Sequence, residues 1–366
     1  MMRVVRAELR DFRNYERAEL ALGPSLTVVT GPNGAGKTNL LEAVYFGCTA
    51  RSPRTANERE LIRRGAGLTR VTLDTVGGDG GHRVEVGFSA GEPKRIRVDG
   101  RSVDSLATAE ERPLAAVFLP ERLELVKGAP ASRRAHLDRF VAALWPARAE
   151  TRTGYSRTLA QRNALLARIK AGQAGAGALA AWDAELGRLG VALMGDRSEA
   201  VEALRAPFAR HAAALGLPGD AEIRYRPRSD ASTYDELVAE LGERRQADMG
   251  RGFTAHGPHR DEVQLILGGV SLRSYGSQGQ QRSALLALLF AERDVLLDLR
   301  DRESLMLLDD VMSELDGSRR ELLAGLLRES GQALVTTTDP DHVPGSRDGD
   351  DLLLEVAEGE LASLAA

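Results

Sequence analysis

Apolar positions along the chain change their spacing several times, and each change marks a different kind of element. Leu26–Thr30 is a short β-branched run that ends in a glycine-rich turn, and over 40–46 the spacing turns helical, which predicts strand, loop, helix. Over 71–98 the pattern alternates, with Val84, Val86 and Phe88 and then Ile96 and Val98, broken at Gly77-Gly78 and Asp99-Gly100. Antiparallel hairpins are predicted there. Over 132–243 strand formers thin out. Leu159, Leu165, Leu166 and Ile169, then Trp182, Leu186, Leu189 and Leu193, recur at helical spacing on either side of a Gly/Ala-rich turn at 171–177. Two helices of about 20 residues each would reach only ~30 Å, too short for a coiled-coil rod. Strand character returns at 263–267, followed by a long helix at 281–299, an apolar strand at 305–308 and a last strand at Ala333–Thr337. The pattern therefore predicts an α/β domain made of 1–131 and 244–366, with a helical arm, 132–243, inserted into it.

Composition narrows the interior and the surroundings. Of 366 residues 43% are hydrophobic but only 4% aromatic, so Leu and Ala must fill most of the core. The single cysteine, Cys48, permits no intrachain disulfide and is expected to be a buried, inert thiol in a reducing compartment. The first residues alternate Arg with apolar side chains rather than forming an export signal. The longest apolar stretch, 284–291, falls far short of the ~20 residues that cross a bilayer, so a cytoplasmic chain with no membrane partner is expected. Net charge is −4, but residues 1–70 hold 12 Lys/Arg against 7 Asp/Glu, which leaves −9 for the remainder. A polyanion should meet the N-terminal part.

Three motifs carry chemistry. Gly31-Pro-Asn33-Gly34-Ala-Gly36-Lys37-Thr38 has the spacing GxxxxGK[ST] between a strand and a helix, the pattern of a phosphate-binding loop. Glycines at 31, 34 and 36 let successive N–H groups face phosphate oxygens, Lys37 reaches the β- and γ-phosphates of ATP, and Thr38 offers a hydroxyl to Mg²⁺. The strand 305–308 delivers Asp309 and Asp310 to its C-terminal end, with Asp309 placed as the Mg²⁺ carboxylate and Asp310 as the group that orients or deprotonates water. Ser313-Glu-Leu-Asp316 follows at once. Third, Tyr275-Gly-Ser277-Gln-Gly279-Gln280-Gln-Arg282 precedes a long apolar helix, so Ser277 and the N–H of Gly279 can grip an anion. Ser277 also reads as an ordinary helix N-cap.

The order of these motifs resembles the ABC-type ATPase head, a P-loop mixed sheet with an antiparallel β subdomain. In that family the serine–glycine loop of one subunit contacts the γ-phosphate held by the P-loop of its twin, which implies an ATP-dependent homodimer. Asn39 of the P-loop helix and Gln280 of the serine loop join the nucleotide-binding set on the same grounds. Further stretches are similar, over nearly the whole length, to the RecF family of bacterial recombination mediators: Asp11-Phe-Arg-Asn14-Tyr15, the segment 51–54, Arg133-Arg134-Ala-His-Leu-Asp138, His256-Gly-Pro-His-Arg260-Asp261, and Gly276-Ser-Gln-Gly-Gln-Gln-Arg282. That resemblance implies binding of double-stranded, gapped or junction DNA in the nucleoid, slow DNA-stimulated ATP hydrolysis used as a timer, and cooperation with RecO and RecR in loading RecA. The arm, where SMC-like relatives carry long coiled coils, would shape the DNA clamp.

The chain also departs from the wider ABC pattern. Ala116 or a neighbour stands where many heads have a glutamine, Asp310 replaces the usual glutamate, and Thr336-Thr337-Thr338 takes the place of a switch histidine, leaving γ-phosphate sensing to a hydroxyl. For DNA, Arg3, Arg6, Arg10 and Arg13 could line one face, with Arg51, Arg54, Arg63 and Arg64 nearby, or they could pair with Glu8, Glu16 or Glu58. Asn14 and Tyr15 could touch nucleotide or pack in the core. His256 and His259 without a third ligand read as turn buttresses rather than metal ligands. Two competing classes are a transporter-type nucleotide-binding subunit, which needs a glutamine loop and a membrane partner, and a small-molecule kinase, which has no need of the Ser277 loop.

Overall fold

The computed structural model describes residues 2–77, 80–106, 109, 111–329, 331–347, 351–357 and 360–363. They divide into two compact units, 1–123 with 214–216 and 285–366, and 124–213 with 217–284. Beside the arm expected at 132–243, the second unit begins at Glu124 and runs on through Ala284.

In the first unit the chain opens with β1 (Arg3–Phe12), β2 (Tyr15–Ala21), β3 (Leu26–Thr30) and helix α1 (Lys37–Thr49). The alternating stretch forms β4 (Leu68–Gly77), β5 (Gly80–Ser89), β6 (Arg95–Val98) and β7 (Arg101–Ser102), with β8 (Leu114–Phe118) after it. Gly78 of the expected Gly77-Gly78 turn lies outside the described residues. The Asp99-Gly100 turn has both residues at positive φ, 50° and 77°, which suits a two-residue hairpin. One antiparallel sheet has the order β2-β1-β4-β5-β6-β7.

The second unit contains α2 (Glu124–Lys127), α3 (Pro130–Leu144), α4 (Ala149–Lys170), α5 (Leu179–Ala214), β9 (Ala221–Arg226), α6 (Tyr234–Arg251), β10 (Glu262–Leu267), β11 (Val270–Ser271) and α7 (Leu272–Tyr275). Helix α8 (Gln278–Arg300) then leads to β12 (Ser304–Asp309), α9 (Gly317–Glu329), β13 (Ala333–Thr337), β14 (Leu352–Ala357) and β15 (Glu360–Ser363) of the first unit. The strand expected to be last, Ala333–Thr337, is followed by two more.

The second sheet of the first unit has the order β15-β14-β3-β13-β12-β8, parallel except for β15. Its central strands read as continuous apolar runs because both faces are covered. Helix α1 fills the space between the two sheets. Leu40, Leu41, Ala43, Val44, Phe46 and Cys48 are fully buried on all its sides, in one core cluster with residues of both sheets. Cys48 is inert as expected, burial pushing its thiol up to about 12. Gly47 lets α1 lie directly on β4, since a Cβ there would stand 2.7 Å from Leu73.

In the second unit the expected helical hairpin is present but unequal. Helix α4 has 22 residues and α5 has 36, the latter running on past the predicted 20 with Pro207 inside it. The expected all-helical arm also contains β9, which pairs with β10 because Ile223 and Tyr225 fall opposite Leu265 and Val263. Tyr155, Leu186, Leu189, Leu193, Leu237 and Leu241 form the apolar seam of α4, α5 and α6. Gly187 and Gly190 permit that seam, a Cβ at each meeting Val238 at 2.5 Å or Leu237 at 2.7 Å. Within the same bundle Arg162 is fully buried between Asp183 (2.7 Å) and Asp248 (2.8 Å), both also fully buried. Arg245 shares Asp183 at 2.6 Å.

Candidate nucleotide site

The P-loop leaves β3 at Thr30 and enters α1 at Lys37, as the spacing predicts. Its bend needs glycine at three points, the first being Gly31 at φ 152°, where a Cβ would stand 2.3 Å from the Val356 carbonyl oxygen. Gly34 sits at φ 83°, and Gly36 at φ 115° has Tyr15 and Asn14 so close that a Cβ would meet their polar atoms at 2.5–2.8 Å. Tyr15 is fully buried and its hydroxyl donates to the carbonyl of Gly36 at 3.0 Å, so it buttresses the loop from beneath. Asn14 donates to the Ala35 carbonyl (3.3 Å) and accepts from Asn39 (2.8 Å), fixing Asn39 at the loop's flank. Asn33 and Gly34 are exposed at its crest.

Lys37 Nζ folds over the loop and donates to the carbonyls of Gly31 (2.7 Å) and Pro32 (3.0 Å). Burial pulls this ammonium below its ordinary value, while Asp310 and Asp309 push it back up. Thr38 Oγ1 donates to Asp309 Oδ2 at 2.8 Å, joining positions 271 residues apart in sequence. Topology makes that contact: β13 lies between β3 and β12, with Thr336 level with Asp309 and Thr337 level with Thr30. Thr336 Oγ1 donates to Asp309 Oδ1 at 2.6 Å. Burial lifts the Asp309 carboxyl above its ordinary value, and the two threonine hydroxyls oppose the shift. Thr336 is thus fully buried and engaged with Asp309, and of the three threonines expected to offer a sensing hydroxyl, Thr338 alone is exposed.

Asp310 sits at φ 47°, a left-handed conformation that is costly for a residue with a Cβ. Its N–H donates to the carbonyl and hydroxyl of Thr336, and Ser313 donates to its carbonyl at 2.9 Å. Its Oδ1 is buried without a hydrogen-bond partner. An orphaned carboxylate oxygen beside an ammonium, a hydroxyl and a second carboxylate fits a site built for a metal–triphosphate. Thr38 and Asp309 could hold Mg²⁺, and the loop's N–H groups with Lys37 could hold phosphates.

Ala116 lies in the middle of β8, level with Met306 of β12, and so cannot stand in a loop at the site. The residue that does is Glu121, just past the end of β8, whose charge is near enough to raise Asp309. Sequence reading missed it. The signal was an acidic residue directly after the edge strand's last apolar run. Glu42 was also missed: fully buried on α1, it takes a bidentate pair from Arg13 (2.9 Å on both arms) and a third contact from Arg54 at 3.3 Å. Arg54 reaches on to Asn39 at 3.0 Å.

The basic candidates therefore separate. Arg54 and Arg13 serve Glu42, Arg63 pairs with Asp11 (2.7 Å) and Glu16 (3.4 Å), and Arg6 with Glu8 and Glu19. Among the described residues Arg51 and Arg64 are exposed with no side-chain ion pair or hydrogen bond.

In the second unit Ser277 caps α8. Its hydroxyl accepts from the Gln280 N–H at 3.2 Å while Gln280 Oε1 accepts from the Ser277 N–H at 2.9 Å, a reciprocal capping box. Ser277 and Gly279 are exposed, and Tyr275 beside them is 77% exposed. In the first unit Asp316 caps α9 by a one-way bond, accepting from the Arg319 N–H at 2.9 Å. His256 hydrogen-bonds Glu240, and His259 bonds the Tyr155 hydroxyl (2.9 Å) and the Thr254 carbonyl (3.1 Å), so both buttress their turn. Burial pulls His259 down to about 4. No group of three metal-ligating side chains occurs among the described residues.

Comparison with known proteins agrees with this geometry. The RecF/RecN/SMC N terminal domain family matches residues 3–354. DNA replication and repair protein RecF of Myxococcus xanthus is 39% identical over 375 residues, covering 99% of this chain and 97% of that protein, and RecF of Streptomyces avermitilis is 37% identical over 358 residues, covering 94% and 95%. The solved structure of the recombination mediator protein RecF with ATPrS in the RecFOR pathway superposes with TM-score 0.89 at 27% identity, over 100% of this chain and 98% of that one. An Smc head domain from Pyrococcus yayanosii, at 15% identity and TM-score 0.59, shares the fold. The fold is thus an ABC-type ATPase head, and the chain belongs to the RecF family of DNA replication and repair proteins.

Proposed function

We propose that this chain is an ATP-driven DNA clamp of recombinational repair, switched by nucleotide between monomer and homodimer. The observation that carries the reading is the Thr38–Asp309 contact, which brings the phosphate loop and the acidic strand end into one site. The N–H groups of the loop bind the phosphates, and Lys37 exchanges its two backbone carbonyls for β- and γ-phosphate oxygens. Thr38 and Asp309 hold Mg²⁺, which when bound neutralises charge on those oxygens. Asp310, with one carboxylate oxygen unengaged, orients water and accepts its proton there. Being one methylene shorter than the usual glutamate, it makes hydrolysis slow, a timer rather than an engine.

Ser277 and Gly279 stand exposed at the start of α8, where a second molecule's nucleotide can be gripped. Two ATP molecules then join two chains head to tail, and loss of the γ-phosphate loosens them. Assembled in this way, with the arm at 132–243 shaping the clamp, the dimer binds gapped or junction duplex DNA in the nucleoid and helps RecO and RecR load RecA.

Sedimentation with and without Mg-ATP tests the dimer. The wild type should double in mass with ATP, while Lys37→Met should stay monomeric and fail to bind ATP. Ser277→Arg should also stay monomeric yet bind ATP normally. Wild type that remains monomeric with ATP, or Ser277→Arg that loses ATP binding as well, contradicts the reading.

A further inference from the structure

The outward face of the antiparallel sheet carries its charge in rows, because side chains at one register level on adjacent strands stand side by side. Register sets Arg17 of β2 opposite Arg10 of β1, Arg10 opposite Arg70 of β4, Arg70 opposite Gly87 of β5, and Gly87 opposite Arg95 of β6. All four arginines are exposed. The next level along holds Glu19, Glu8, Thr72, Glu85 and Arg97, and the level after that Arg6, Asp74 and Arg83. Those two levels neutralise each other. Arg6 reaches Glu8 and Glu19 at 2.6 Å each and Asp74 at 3.6 Å, and Arg83 pairs with Asp74 at 2.7 Å.

The arginine level is less compensated, Arg17 sensing Glu19 of the next level only through space. Arg95 meets Glu92 at 3.0 Å, but among the described residues Arg10, Arg17 and Arg70 have no side-chain hydrogen bond or ion pair. Like charges directly opposite on neighbouring strands cost stability, and Arg10 has one on each side. Where the row reaches Gly87 it opens into a hollow of about 150 Å³ flanked by Arg70 and Arg95, with Glu85 and Glu92 at its sides. The backbone does not require glycine there, since a Cβ would meet nothing nearer than 3.8 Å.

We propose that this arginine row is a contact surface for the sugar–phosphate backbone of duplex DNA, a proposal that rests on the DNA-binding reading above. From β2 to β6 the row crosses four strand spacings, roughly 19 Å. At about 3.4 Å of axis per phosphate on one strand, that length matches roughly five or six phosphates. The level beside it carries no surplus of positive charge, so the bound strand follows the row across the sheet rather than running along a β-strand. Guanidinium–phosphate contacts of this kind are indifferent to base sequence.

Duplex affinity measured by fluorescence anisotropy at several salt concentrations tests the row. In an Arg10→Gln, Arg17→Gln, Arg70→Gln triple variant, affinity should fall roughly tenfold or more at fixed salt, and the slope of log K against log salt should shrink by about 2 to 3. ATP binding should be unchanged, and thermal stability equal or higher, because the opposed charges are gone. Gly87→Glu, which sets a carboxylate in the row without displacing a neighbour, should weaken duplex binding with the fold intact. Wild-type affinity and salt slope in both variants overturn the row while leaving the DNA reading standing. A loss confined to single-stranded DNA also overturns it. Failure of the wild type itself to bind duplex defeats the DNA-binding reading and the row together.

Discussion

Thr336 shows how much one hydroxyl organises. Fully buried, it donates to Asp309 and accepts from the Asp310 N–H, so it holds Asp309 and the strained Asp310 in one grip. Thr336→Val keeps the shape and removes both contacts, and should cost about 1–3 kcal/mol of stability, read by denaturant unfolding. Because the hydroxyl opposes the upward shift of Asp309, the same change should move the acid limb of Mg²⁺-dependent ATP binding to higher pH. An unshifted limb would remove Thr336 from the proposed Mg²⁺ site. His259 makes a pH prediction of opposite purpose. Folded it titrates near 4 and unfolded near 6.5, so between those values the unfolded chain binds more protons. Its contribution is therefore complete above pH 6.5 and is lost as pH falls toward 4, up to about 3 kcal/mol. His259→Asn should flatten that part of the stability–pH curve relative to wild type, and an unchanged slope would show that the ring is protonated in place. The role of Thr336 was not legible in the sequence, where it is one of three consecutive threonines and only β12–β13 register selects it, whereas the buttressing role of His259 was. Glu121 and Glu42 escaped for a similar reason, since their meaning comes from what the fold places across from them.

At the scale of elements the sequence was most readable where one physical rule governed alone. The strand–loop–helix at 26–49 and the hairpins after Leu68 follow from glycine placement and period-two patterning. Periodicity gave the helices of the second unit but not their lengths, since α5 carries buried Asp183 and Arg197 on its apolar face and so breaks the hydrophobic count. Strands β14 and β15 were missed because a polar stretch containing proline and glycine separates them from β13. Two element-level outcomes are expected. Arg162→Met removes one partner from a buried cluster and should cost about 3–5 kcal/mol by urea unfolding, because Asp248 loses its buried partner and Asp183 keeps only the partly exposed Arg245. Gly190→Val should lose about 1–3 kcal/mol by overpacking the α5–α6 seam; a neutral result would mean that the helices can separate freely.

For the molecule as a whole, stability should follow nucleotide by mass action. At a hundredfold excess over Kd, Mg-ATP should add about 2.7 kcal/mol to the unfolding free energy. If ATP also joins two chains, the melting temperature with ATP will rise with protein concentration in the wild type and stay flat in Ser277→Arg. Equal concentration dependence in both would place the dimer contact elsewhere.

Cys48 lies in the core of the first unit, on α1 between the two sheets, and the chain has no other thiol. A maleimide or disulfide reagent can therefore modify the protein only when this core parts, and the labelling rate becomes an intrinsic clock for how often the phosphate-loop helix leaves its seat. The clock should slow with bound triphosphate, and it needs no engineered probe.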